Sequence, residues 1–159
     1  MNQASPQTHP PAALARPLIV RLAPPLIALA LVLFPLGWLA EVWLPFGAVA
    51  DWLFPNAWAH AVGHMSLFGL LGLLVLVAIP VLRRLPGVYI GLLLLAGVGQ
   101  ESFQMLYKGR LLLFDDTRDL ATDLAGGLFA LALVLAWERL RRERKGAELF
   151  SQPGRHGDG

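Results

Sequence analysis

The stretch WAHAVGHMSLFGLLGLLVLVAIPVLRR, residues 58–84, decides the fold class. From Met65 to Leu82 it carries no charged side chain, and it stops at Arg83-Arg84. A hydrocarbon core about 30 Å thick takes roughly 20 helical residues. An unbroken apolar run of this length also lacks the alternation of a membrane barrel strand. The stretch therefore reads as a transmembrane helix. The rest of the chain agrees, with 56% hydrophobic and 15% charged residues and a mean hydropathy of +0.58. A soluble domain has roughly 45–50% and about 25%.

Three further runs flank this one. Leu22 to Leu44 forms the first, interrupted by Pro24, Pro25, Pro35 and Glu41. It is too long for a secretory h-region, and no small-x-small cleavage site follows Gly37, so it is expected to stay as a spanning helix. Pro45 to Asn56 reads as a short amphipathic connection. The second span is Trp58 to Leu82. After the turn Leu85-Pro86-Gly87 the third runs from Val88 to about Tyr107. A polar connection follows, and the fourth span runs from near Asp119 to Trp137, continuing as a charged helix to Lys145. The fold class expected is all-α, an integral bundle of about four transmembrane helices over residues 17–145. Residues 1–16 and 146–159 have the composition of disordered tails.

Lysine and arginine at the segment ends orient the bundle. With the N-terminus inside, Arg16, Arg21, Arg83, Arg84, Arg139, Arg141, Arg142, Arg144, Lys145 and Arg155 are cytoplasmic. Only Lys108, Arg110 and Arg118 lie outside. Both termini are thus expected in the cytoplasm, with the chain multi-pass in a bacterial inner membrane. Trp43, Trp52 and Trp58 mark the outer interface and Trp137 the inner one. The basic residues are not interleaved with exposed aromatics, so nucleic acid is no partner; the lipid bilayer is. Cysteine is absent, which excludes disulfides and thiolate metal sites.

Ionisable groups within apolar helices cost about 2.5–3.5 kcal/mol each on insertion scales and tend to mark function. Here they are Glu41, His60, His64, Glu101, Asp119 and Asp123, with Gln100 and Gln104 beside them. His64 lies six residues into the second span, Glu101 six before the end of the third, and Asp123 a similar distance past Arg118. At 1.5 Å per residue each sits roughly 9 Å below the outer boundary. Three helices thus place one ionisable group each at a common level. Asp115, Asp116 and Arg118 read as loop charges. Gly126 and Gly127, with Gly69 and Gly72, offer small surfaces for close helix approach. No cofactor motif is present, and the His–Glu–Asp spacing matches no standard metal motif, so no metal is expected.

Three elements taken together resemble the VanZ-like family, named after a teicoplanin-resistance protein. They are His64-x-x-x-Phe68-x-x-x-Gly72, then Glu101-x-x-Gln104 followed by Gly109-Arg110, then Asp119-x-x-x-Asp123-x-x-Gly126-Gly127. The resemblance covers about residues 57–136. It implies a small multi-helix membrane protein with a role in the cell envelope; glycopeptide resistance belongs to some members and is not carried over. Three departures stand out. His60 and Ala61 occupy positions where many members have Asp and Lys, the Arg110–Asp119 connection is longer, and Asp123 replaces a common Asn.

Two functions follow from these residues. In one, His64, Glu101, Gln104, Arg110, Asp119 and Asp123 line an outward-facing pocket that binds an envelope lipid or glycopeptide-related ligand. Arg110 would receive a carboxylate or phosphate. In the other, an intramembrane enzyme uses His64 as acid or base with Glu101 orienting it or exchanging a proton. Arg110 would then stabilise developing negative charge. A purely structural network is the third possibility. The oligomeric state is open.

Overall fold

The computed structural model describes the backbone of residues 12–109 and 114–151, and side chains over 18–109 and 116–146. Within these residues the chain is all-helical, with no strand. The helices are α1 (Ala12–Leu33), α2 (Leu36–Val42), α3 (Leu44–Leu53), α4 (Ala57–Ala78), α5 (Pro86–Lys108) and α6 (Phe114–Ser151). A 3-10 turn over Pro80–Arg84 joins α4 to α5.

Helix boundaries follow local chemistry. Asn56 caps α4, its side-chain oxygen accepting from the Ala59 amide at 2.9 Å. The helix ends at Ala78, short of the Leu82 suggested by hydropathy. Pro80 disfavours helical backbone at Ile79, and the chain tightens into the 3-10 turn. Arg83 bends back, its Nε donating to the Leu76 carbonyl at 2.9 Å near the end of α4. Pro86 occupies the first turn of α5, where its missing N–H has no helical partner to lose. Gly109, at φ 59° and ψ 31°, terminates α5 in the left-handed region.

The first apolar run differs from its sequence reading. α1 begins at Ala12, inside the segment expected to be a tail, and passes through Pro24 and Pro25. It then breaks at Pro35, where α2 turns away by 56°. At the break the Leu36 amide bonds the Phe34 carbonyl two residues back, at 2.8 Å. The connection after Trp43 is also helical, as α3. At the other end of the chain, α6 starts at Phe114 rather than near Asp119. Acidic Asp116 lies near its start, where its charge complements the positive end of the helix dipole. It continues past Gly146 to Ser151. The rest of the two expected tails, residues 1–11 and 152–159, lies outside the described residues.

Among the described residues two helices are long and apolar enough to cross a membrane: α4, and α6 over Asp116–Gly146. The bent α1–α2 pair is a third if it counts as one span. Only 33% of the most apolar window of α4 is buried, and 28% of that of α6. Apolar surface left uncovered on this scale suits lipid contact. α5 has 23 residues but falls outside this group, because Gln100, Glu101, Ser102 and Gln104 dilute its apolar face.

α4 and α6 make the most extensive contact, α5 packs on α6, and α1 covers α4 and α5. The small residues explain the first pair. A Cβ on Gly126 would strike the Met65 carbonyl and lie 3.0 Å from the Gly69 nitrogen, so the two backbones meet directly. One turn further along, Gly72 faces the Gly127 backbone. Tyr89 of α5, fully buried, donates from its hydroxyl to the Gly127 carbonyl at 2.8 Å. Phe68, Leu76 and Val32 complete the centre of the core. An apolar cleft of about 530 Å³, lined by Leu26, Leu29, Leu92 and Phe103 among others, runs between α1, α4 and α5.

Candidate functional site

Five acidic or histidine side chains are buried among the described residues: His64, Glu101, Asp116, Asp119 and Asp123. All five come from one end of the bundle, the start of α4, the end of α5 and the start of α6. The backbone contact at Gly126 sets the centre of this arrangement. It brings α6 so close to α4 that Asp123, 1% exposed, stands against His64. His64 Nδ1–H donates to Asp123 Oδ1 at 2.8 Å, since a carboxylate can only accept.

Glu101 enters the same space from α5. It is 4% exposed, and neither of its carboxylate oxygens has a hydrogen-bond partner. Donor atoms of His64, Glu101 and Asp123 all lie within 4.8 Å of one another. Asp123 Oδ2 is likewise buried with no hydrogen bond, as is Asp119 Oδ1. Nearer the helix ends, His60 Nε2 stands 3.9 Å from Asp119 Oδ2, with its side chain half exposed. The His60 and His64 rings are 4.8 Å apart, centroid to centroid. Arg118 Nε lies 3.9 Å from Asp119 Oδ1.

Of the residues singled out in the sequence, His64, Glu101, Asp119 and Asp123 come together here. Gln104 does not join them: half-buried, it accepts from Lys108 Nζ at 3.3 Å along its own helix. Arg110 lies outside the described residues. Glu41 is exposed on α2. The partner that orients His64 is Asp123, not Glu101. Asp116, read as a loop charge, is instead 3% exposed within α6. Its signal was the Asp-Asp pair at a helix start, hidden by the apolar Leu111–Phe114 before it. Tyr89 was overlooked because an aromatic in an apolar run carries no mark of its hydroxyl contact.

A buried carboxylate with no hydrogen bond is costly, and native buried polar groups are nearly always satisfied. The cluster offers a ligand several oxygen acceptors and an imidazole, all held on rigid helices. Ser102 Oγ donates along its own helix to the Val98 carbonyl at 2.6 Å. Comparison of the chain with protein-family models, curated proteins and solved structures returns no match.

Proposed function

We propose that the chain is a VanZ-like, four-span protein of the bacterial inner membrane whose buried polar end faces outward and binds or modulates a cell-envelope molecule. One observation carries this reading. Every buried acid and histidine among the described residues sits at a single end, and neither carboxylate oxygen of Glu101 there has a hydrogen-bond partner. A network serving packing alone would satisfy its members. The orphan oxygens suit a ligand that presents hydrogen-bond donors, such as sugar hydroxyls or an amino group, as lipid-linked and glycopeptide-related molecules do. The apolar cleft reaches the same depth on the opposite face of α5, at Gly99 and Phe103, and supports the lipid-linked form of this reading.

The four spans are α1–α2, α4, α5 and α6; α5 at 23 residues is about 35 Å long, enough to cross. The Lys/Arg distribution supports cytoplasmic termini. A reporter active only in the cytoplasm is expected to work after Arg84 or Lys145 and fail after Arg110; activity at Arg110 would overturn the orientation. For the pocket, Glu101→Gln is expected to abolish any envelope-stress or antibiotic-susceptibility phenotype while membrane abundance stays near wild type. Parallel loss of abundance and phenotype would overturn it.

A second reading, an enzyme acting on a lipid-linked substrate, draws on the His64–Asp123 hydrogen bond. A carboxylate holding an imidazole is the arrangement of an oriented general base. In that case Asp123 takes the orienting role and Glu101 faces the substrate.

A further inference from the structure

We propose that His64, Glu101 and Asp123 bind one divalent first-row transition cation, Zn²⁺ or Mn²⁺. The inference rests on the reading of this end as a ligand-binding site and names a ligand for it.

The donor set is one imidazole and two carboxylates. Imidazole suits zinc and its neighbours, carboxylate suits manganese and magnesium, and the mixture fits Zn²⁺ or Mn²⁺ best. Charge points the same way. Two carboxylates against a dication give a neutral site, which a low-dielectric setting favours over any residual charge. The positions are close to what coordination needs. Donors at about 2.1 Å from one cation stand roughly 3–4 Å apart; His64 Nδ1 and Asp123 Oδ1 are 2.8 Å apart, and all three donors fall within 4.8 Å.

Glu101 supplies the independent observation. It is 4% exposed, aimed at His64 and Asp123, and both its oxygens are uncommitted. On coordination the His64–Asp123 hydrogen bond is exchanged for two metal bonds. The proton on Nδ1 moves to Nε2, so the imidazole stays neutral. His60 and Asp119 form a second group with His64 nearer the helix ends. Arg118 competes for Asp119 there, at 3.9 Å, which favours the deeper set. A linear sequence motif was never to be expected, because the three ligands come from three helices.

The test uses the full chain in lipid nanodiscs, purified without a polyhistidine tag and stripped with a chelator. Zn²⁺ or Mn²⁺ is then added and the metal retained after desalting is measured. One equivalent per chain, with a melting temperature raised by several degrees, is expected for one of the two ions. Glu101→Gln and His64→Gln should each weaken retention at least tenfold, and Asp51→Asn, an exposed acid on α3, should not change it. Retention well below one equivalent for both ions, or full retention by Glu101→Gln, overturns the site. Should either variant fail to fold, X-ray absorption of the zinc-loaded wild type decides: imidazole in an N/O shell supports the site, an all-oxygen shell overturns it. If Glu101→Gln loses the phenotype but wild type holds no metal, the cation falls and the envelope-ligand reading stands. If metal is held through Glu101 yet the phenotype survives its loss, the cation stands and that reading falls.

Discussion

The two ends of the α4–α6 pair treat charge in opposite ways. Where α4 finishes, Arg83 Nη1 donates to Glu138 Oε1 at 2.6 Å, and the same guanidinium also bonds the Leu76 carbonyl. Both side chains keep about a quarter of their surface exposed. One cation meets one anion, water reaches both, and the pair fastens the exit of α4 to α6. Where α4 begins, four buried acids surround one buried histidine, and several oxygens have no internal partner. The first arrangement serves the fold. The second works against it, and polar groups that oppose stability are characteristic of sites that bind or react.

The frame shared by both ends should give the largest effect. Gly126→Val puts a branched side chain onto the Met65 carbonyl, and overpacking at backbone contact is expected to cost about 3 kcal/mol or more. Folded yield and melting temperature in detergent should fall together. A variant that melts like wild type would mean α4 and α6 do not need that contact, and the common origin of the two ends would be lost.

The next test compares the ends directly, in chelator-treated protein. Glu138→Gln removes the charge that Arg83 meets and should destabilise by about 1–2 kcal/mol. Glu101→Gln removes a charge with no hydrogen bond, so stability should stay within about 0.5 kcal/mol or rise. Equal losses from the two substitutions would erase the contrast between them.

The smallest effect belongs between the ends. Tyr89→Phe removes one hydrogen bond to a carbonyl that also lies within a helix, for about 0.5–1 kcal/mol. It should leave the Glu138→Gln and Glu101→Gln effects unchanged, since sites without shared partners add. A double variant that departs from additivity would show that the ends communicate through α5.

Much of this layout was legible in the sequence. An apolar run closed by Arg83-Arg84 marks α4, and counting residues from the helix ends places His64, Glu101 and Asp123 at one depth. Small residues at 69, 72, 126 and 127 announce close packing. Pairing was not legible, because depth along a helix says nothing of rotation. His64 therefore meets Asp123, whereas Gln104, one turn from Glu101, points to Lys108. The Pro35 break was also hidden: Pro24-Pro25 stays helical while Pro35 does not, and a proline's presence alone does not tell the two apart. Asp116 was misread because the apolar residues before it concealed the start of α6.

α6 has a mechanical consequence of its own. It is one uninterrupted helix from Phe114 to Ser151, so Asp123 and Gly146 ride on the same rod about 35 Å apart. It is held to α4 at Gly126, less than one turn from Asp123, and again at Glu138, where Arg83 meets it. Held at two points along one rod, Asp123 and Glu138 keep a fixed separation of about 22 Å, so the buried acid and the cation-paired one move only together. Beyond Glu138 the side chains from Arg139 to Lys145 are exposed, and the row of positive charge there extends the same rod past its last hold on α4.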